Sequence, residues 1–357
     1  LAVAERLSRL RQRLLEKDID GLLITQPDNC RYISGFTGSG AILLVCRNSA
    51  ILVTDFIYAE QARREASSFH IVVATAAAEK LSLLLSSDTT KRLGFEANIL
   101  NFSDYQRLAE AAGKVESALV PAEGLVESLR SIKEPEELAS IERAAALADS
   151  AFRYIMAEIR PGMTEKEAAW EIERYLRERD SEAVPFEIIV ASGPNAALPH
   201  ARPTDRPIAT SEPVILDLGA RVNGYCSDIS RTLCLGPQDD TFRRIYDLVL
   251  QAQLTALDGI RAGMTGAEAD GLARAVIRNG GYGQSFGHGL GHGVGLAVHE
   301  EPRIGPTSTA VVAEDMVFTV EPGIYVNGWG GVRIEDTVVM EKGRARALTR
   351  APKTATL

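Results

Sequence analysis

The sequence predicts two mixed α/β domains, the second built from a duplicated unit. Three observations carry this. The chain has 357 residues, more than one ordinary core organises. Its first part alternates short apolar runs with amphipathic segments, the pattern of a layered α/β structure. Its later part holds a near-repeat, Arg160-Pro-Gly-Met-Thr-Glu-Lys-Glu-Ala168 against Arg261-Ala-Gly-Met-Thr-Gly-Ala-Glu-Ala269. The division is expected between residues 1–123 and 124–357.

Bulk properties exclude several classes. A hydrophobic content of 45% with 24% charged residues is that of a globular protein. A net charge of −9 argues against a general nucleic-acid binder. Cys30, Cys46, Cys226 and Cys234 form no C-x-x-C pair and no disulfide framework, so reduced thiols in the cytoplasm are expected. The opening residues LAVAERLSRLRQRLLEK are charged throughout, unlike a signal peptide. No stretch approaches the roughly 18 apolar residues of a membrane span.

In the first domain, Leu7, Leu10, Leu14 and Leu15 recur at helical spacing, which predicts a helix over 4–17. Apolar runs predict strands at 21–25, 41–46, 51–54, 71–74 and 93–96. Residues 32–39 read as a loop, 56–67 as helix, and a further helix starts at Ser103. The domain is expected to end near Pro121. A helix over 127–156 comes next, with Pro135 placed near its start and a hinge at 129–133.

In the second domain each copy of the repeat carries a threonine at a helix N-cap, Thr164 and Thr265, with an acid three residues on, Glu167 and Glu268. The segments downstream of the two copies also correspond. Val214 to Asp228 and Val317 to Glu335 both read as an apolar run, an acid, an Asn-Gly pair and a second acid. Asn-Gly between strand-like runs is a strong hairpin signal. A two-residue turn at Asn223-Gly224 sets Val222 opposite Tyr225 and Gly219 opposite Asp228. Asp217 and Asp228 then become diagonal neighbours on one face, about 7 Å apart at Cβ. Glu321 and Glu335 are equidistant from Gly328 and face each other if the loop is regular. Glycines 330 and 331 leave room for a bulge.

Between the hairpins, Phe286 to Glu300 reads FGHGLGHGVGLAVHE and holds three of the five histidines. Glycines flank His288 and His292, so a zinc-binding helix is a poor fit. An extended segment sends residues 288, 290 and 292 to one face, and its glycines let another backbone or a substrate approach closely. Ile215, Leu216, Val320 and Ile334, beside the hairpin acids, read as buried, and buried acid pairs need a compensating charge. Four carboxylates and an imidazole suit a pair of divalent cations, manganese before a thiolate-type zinc centre. Such a pair, about 3.5–4 Å apart, acidifies a shared water, which is the chemistry of a hydrolase.

These motifs together resemble a known family, the pita-bread metallopeptidases: Xaa-Pro aminopeptidase (aminopeptidase P), prolidase and methionine aminopeptidase. The matching stretches are Leu216-Asp217-Leu-Gly, Cys226-Ser-Asp228-Ile-Ser-Arg-Thr, His288-Gly-Leu-Gly-His292-Gly-Val-Gly, Val298-His299-Glu, Val320-Glu321-Pro-Gly-Ile-Tyr and Val332-Arg333-Ile-Glu335-Asp-Thr. The resemblance implies a creatinase/prolidase-like N-terminal domain and a pseudo-symmetric α+β pita-bread catalytic domain. It implies that Asp217, Asp228, His292, Glu321 and Glu335 hold two divalent ions, with Asp228 and Glu335 bridging. Manganese comes first; cobalt and zinc are alternatives. It gives Glu321 the proton of the attacking water, His200 a hydrogen bond to substrate and His299 the tetrahedral intermediate. His288 and Tyr325 would line the pocket, Arg333 would position the acids or substrate, and Arg303 would grip a free carboxylate. The expected substrates are small peptides with proline in second position, the expected assembly a homodimer. The N-terminal domain favours the Xaa-Pro enzymes. Aminopeptidase P is the leading expectation, prolidase the alternative, and a non-catalytic peptide-binding relative a distant third.

Overall fold

The computed structural model describes residues 3–74, 84 and 90–355. The chain divides into two compact units, Leu1–Arg130 and Ser131–Leu357.

The strands of the first unit are β1 (Gly21–Ile24), β2 (Ile42–Cys46), β3 (Ala50–Thr54), β4 (His70–Val73), β5 (Arg92–Glu96) and β6 (Ala118–Ala122). Among the described residues they form one mixed sheet in the order β4-β3-β2-β1-β5-β6. The helix Val3–Glu16 buries Leu7, Leu10 and Leu14, while Leu15 stays 51% exposed, so the apolar stripe is one residue narrower than its spacing suggests. The expected loop at 32–39 instead begins inside a helix, Pro27–Ser34. Pro27 opens it, the Gln26 side chain accepts from the Asn29 N–H, and Gly35 ends it at φ 77°. Residues 56–67 resolve into a 3₁₀ turn, Phe56–Tyr58, and a helix, Ala59–Glu65. Strand β6 escapes the sequence pattern because Pro121 lies inside it; it is the sheet's edge, where a strand tolerates proline.

The single helix expected over 127–156 is two, Glu127–Arg130 and Pro135–Glu158. Pro135 stands in the first turn of the second helix, where its missing N–H is harmless, and Glu134 with Glu137 forms the capping box. Just before it, Ile132 bridges to Met316 and the Lys133 N–H donates to the Asp315 carbonyl at 2.9 Å.

The second unit is duplicated in structure as well as sequence. Helices Pro135–Glu158 and Glu165–Arg177 correspond to Asp240–Gly259 and Gly266–Asn279. Each pair is joined through a glycine in the left-handed region, Gly162 at φ 88° and Gly263 at φ 94°. Each joint makes the same pairing to a later segment, Thr164 with Pro207 and Thr265 with Val311. Both capping boxes form as the sequence predicts.

Its strands, in chain order, are β7 (Ile189–Ser192), β8 (Pro213–Leu218), β9 (Arg221–Val222), β10 (Tyr225–Cys226), β11 (Ile229–Cys234), β12 (Gly291–Gly293), β13 (Glu300–Ile304), β14 (Val317–Val320), β15 (Gly323–Val326), β16 (Gly330–Arg333), β17 (Asp336–Glu341) and β18 (Arg344–Ala347). The first half contributes a sheet ordered β11-β8-β7, the second a sheet ordered β13-β12-β14-β17-β18. Each half packs helices on its sheet around its own core. Phe152, Ile172, Leu216 and Leu233 belong to one, Phe242, Ile277, Phe318 and Val338 to the other. The four cysteines are buried and form no disulfide. No described helix is long and apolar enough to cross a membrane.

Candidate active site

The two hairpins set the acids. In the first, Asn223 at φ 52° and Gly224 at φ 82° supply the two positive-φ positions of a tight turn. Val222 pairs with Tyr225, and the same register returns in Leu218 with Ile229 and Asp217 with Ser230. Between these stretches the ladder breaks, at Gly219-Ala220 and Ser227-Asp228. A Cβ on Gly219 would lie 2.2 Å from the Ser227 carbonyl oxygen, so only glycine fits opposite the break. In the second hairpin Val326 pairs with Gly330 and Gly323 with Arg333, and the same register continues in Val320 with Asp336. No bulge forms at Gly330 and Gly331. This ladder also breaks, at Glu321-Pro322 and Ile334-Glu335. Three of the four acids therefore stand where a hairpin leaves its sheet. The hairpins are laced together: Glu335 N–H donates to the Ser230 carbonyl at 3.0 Å, and Thr232 Oγ1 donates to the Arg333 carbonyl at 2.9 Å.

His292 sits on β12, which lies between β13 and β14. Its Nε2 is 3.3 Å from Glu321 Oε1 and 3.7 Å from Asp228 Oδ2. Thr319 Oγ1 accepts the His292 N–H at 3.1 Å and donates to Glu321 Oε1 at 2.9 Å, fixing β12 and the acid together. The glycines of this stretch make room for the protein's own backbone. A Cβ on Gly291 would lie 2.0 Å from the Thr319 carbonyl oxygen, and one on Gly293 2.1 Å from that of Glu301.

The four acids and His292 line one cavity of about 450 Å³. Asp217, Asp228, His292, Glu321 and Glu335 face it together with His200, His288, His299, Tyr325 and Arg333. Arg303 is not among its lining residues. It stands opposite His292 in the β12–β13 ladder with an exposed side chain. Six lining side chains lie outside the expected set: Phe186, Glu187, Ile189, Pro199, Ala201 and Arg202. Nothing in their local sequence pattern marks them as site residues.

The cavity wall is a chain of hydrogen bonds. The Gly289 carbonyl is 2.8 Å from His288 Nδ1 and can only accept, so that nitrogen carries the proton. His288 Nε2 then accepts from the Tyr325 hydroxyl at 3.0 Å. Arg333 donates to the Tyr325 oxygen at 2.9 Å, to Ser230 Oγ at 2.8 Å and to Asp217 Oδ2 at 2.5 Å. Burial lowers the pKa of His288, in keeping with a neutral ring. The His288 segment is held from behind by Arg274, which donates to the carbonyls of Phe286 and His288, while Asp270 accepts the Leu290 N–H. Asp270 and Arg274 pair at i,i+4. That spacing is visible in the sequence, but it looks like any solvated helix pair.

Arg333 and His292 do not offset the crowding of four acids. Burial, then the neighbouring Glu335, Asp217 and Glu321, pushes Asp228 well above the usual carboxylate range. Burial and Glu321 do the same to Glu335. Burial opposes ionisation of Glu321 too, but the hydrogen bond and charge of His292 draw it down to about 2. Burial likewise opposes a charge on His292, and Glu321 outweighs it and raises the imidazole. Asp217 Oδ1 and Glu335 Oε1 are buried with no hydrogen-bond partner. Asp228, His292 and Glu335 each offer a ligand atom within 4.8 Å of the others. Orphaned carboxylate oxygens converging with an imidazole are what divalent cations require, so these residues fit such ions.

The comparisons agree with this geometry. Residues 139–342 match the model of metallopeptidase family M24, and residues 6–132 that of the creatinase/prolidase N-terminal domain. A solved Xaa-Pro dipeptidase from Bacillus anthracis superposes with a TM-score of 0.96 at 41% identity, covering 100% of both chains. An X-Pro aminopeptidase structure from Thermotoga maritima MSB8 gives 0.91 at 36% identity, over 98% of this chain and 99% of the other. The Xaa-Pro dipeptidase of Pyrococcus furiosus is 37% identical over 98% of this chain and 99% of its own length. Divalent-metal binding comes with the family. With a creatinase/prolidase N-terminal domain ahead of a pita-bread domain whose acids converge on one cavity, this chain belongs to metallopeptidase family M24.

Proposed function

We propose that this chain is a dinuclear-metal Xaa-Pro dipeptidase, a prolidase. The sequence motifs alone favour aminopeptidase P, with prolidase as the alternative. The comparisons support the alternative better, since the Bacillus anthracis and Pyrococcus furiosus relatives are both Xaa-Pro dipeptidases with near-complete coverage. The observation that carries the reading is that full-length likeness, joined to an intact set of five ligand-type residues on one cavity.

Asp217, Asp228, His292, Glu321 and Glu335 would hold two divalent ions, Asp228 and Glu335 serving both. An oxygen-rich set with one imidazole favours manganese, with cobalt or zinc as substitutes. When bound, the ions supply Lewis-acid polarisation of the scissile carbonyl and acidify water. Glu321, whose carboxylate form the hydrogen bond and charge of His292 favour against its burial, accepts the proton of the attacking water. His299 lies against His292, ring centroids 4.0 Å apart, and serves the developing oxyanion. His200 hydrogen-bonds the substrate. His288 and Tyr325, locked by Arg333, form a fixed wall for the residue after the scissile bond. An Xaa-Pro bond has no amide N–H, so recognition falls on the free amine, the compact ring and the carboxylate. Arg303, exposed one strand from His292, would meet that carboxylate from outside the cavity lining.

The test compares an Xaa-Pro dipeptide with an Xaa-Pro-Xaa tripeptide on manganese-loaded protein. Faster turnover of the dipeptide is expected. Preference for the tripeptide restores aminopeptidase P, and inertness toward both removes the enzymatic reading.

A further inference from the structure

Asp336 comes directly after the ligand-type residue Glu335 and is 1% exposed. Its first-half counterpart, the residue after Asp228, is Ile229. The fold of one half therefore needs no charge at this position, yet the other half buries one. Asp336 Oδ1 accepts from Arg231 at 2.7 Å and from Thr349 Oγ1 at 2.9 Å. Its Oδ2 accepts from Gln253 at 2.8 Å and lies 2.6 Å from Lys353 Nζ. Arg231, also 1% exposed, donates onward to the carbonyls of Ser230 and Glu335 and to those of Ala351 and Pro352. The Glu335 backbone is thus fixed at both ends, its N–H on Ser230 and its carbonyl on Arg231.

The segment 349–355 completes the arrangement. The N–H groups of Arg350 and Ala351 donate to Asp149 at 2.7 and 2.8 Å, and the Ala355 carbonyl accepts the Cys234 N–H at 2.7 Å. So this segment is tied to the helix Pro135–Glu158 on one side and to β11 on the other. Lys353 also donates to Gln253 Oε1 at 3.0 Å, closing a ring of Lys353, Gln253 and Asp336. A buried arginine and a partly buried lysine around one buried acid are a poor source of stability compared with apolar packing of the same volume. What they secure is geometry: the backbone on which the Glu335 carboxylate is aimed.

We propose that segment 349–355 is a clamp for ion retention, and that Lys353, Asp336 and Arg231 are positioning residues for Glu335. This rests on the metal-centre reading above. None of the three lines the cavity, so their effect on ions runs through the backbone of Glu335 and β11.

The experiment is calorimetric titration of metal-free protein with manganese. Lys353→Met keeps most of the unbranched stem of a side chain that is 22% exposed and removes the ammonium, with its ion pair to Asp336 and its hydrogen bond to Gln253. Weakening of at least one ion by about tenfold or more is expected, the usual effect of losing a partner that orients a ligand. Lys353→Arg should recover most of it. Wild-type affinity in Lys353→Met, whether or not its melting temperature falls, overturns the clamp. A wild type that binds no ion overturns the metal-centre reading instead. If Lys353→Met cannot be purified folded, Asp336→Asn is read by the same criterion.

Discussion

Asp228 and Glu335 are each held above the usual carboxylate range by burial and by nearby acids. The site is thus a local conflict that the rest of the unit holds in place, which is characteristic of functional positions. Asp228→Asn keeps the shape and removes one of the repelling charges. We expect the metal-free variant to be more stable than wild type, by about 0.5–2 kcal/mol, the range typical of relieving a functional site. It should also lose the gain in melting temperature that manganese gives. Thermal melts with and without manganese measure both quantities. A variant that is less stable without metal, yet still stabilised by manganese, would show that Asp228 is a structural acid. Glycine shows the same conflict from the other side. Gly291 and Gly293 serve close strand packing, because carbonyl oxygens of Thr319 and Glu301 occupy the space a Cβ would need.

At the level of elements, the duplicated joint has a titratable signature. Glu167 and Glu268 accept the N–H and hydroxyl of Thr164 and Thr265, and these hydrogen bonds hold both carboxyls below their ordinary pKa. A depressed folded-state pKa gives stability that is fully present above the unfolded value and is lost as pH falls through the folded one. The double variant Glu167→Gln, Glu268→Gln keeps the box geometry but carries no charge. Between about pH 5 and pH 3 its melting temperature should fall less steeply than that of wild type. Parallel slopes would show that the two boxes contribute nothing to acid sensitivity. These joints are legible in the sequence because a threonine, an acid three residues on and a preceding glycine are local signals. The same holds for the Asn-Gly hairpin, whose register comes from counting outward. The helix Pro27–Ser34 is not legible, since eight residues containing Asp28, Asn29 and Arg31 give little periodicity. Only Pro27 and Gly35 mark its ends.

Across the whole molecule, the acids and His292 are legible because symmetric hairpins and a scarce residue type expose them. Their supports are not. Arg231 meets Asp336 across 105 positions and Ala351 across 120, and Arg274 is an ordinary helical arginine until the fold lays His288 against it. A single sequence carries no record of such pairings. The distribution of these supports has a measurable consequence. Every candidate ligand, and every contact described for holding one, belongs to the second unit, Ser131–Leu357. Ions that bind only the folded state stabilise it by mass action, about 2.7 kcal/mol at a hundredfold excess over the dissociation constant. Chelation should therefore lower the melting temperature, and manganese should restore it. Hydrogen exchange locates the effect. Added manganese should slow exchange in β8, β11, β12, β14 and β17, which carry or adjoin the candidate ligands. Strands β1 to β3, in the first unit, should change least. Equal protection of both units would mean that the ions stabilise the chain through something other than the hairpin breaks, and would remove the argument that these breaks are where the ions sit.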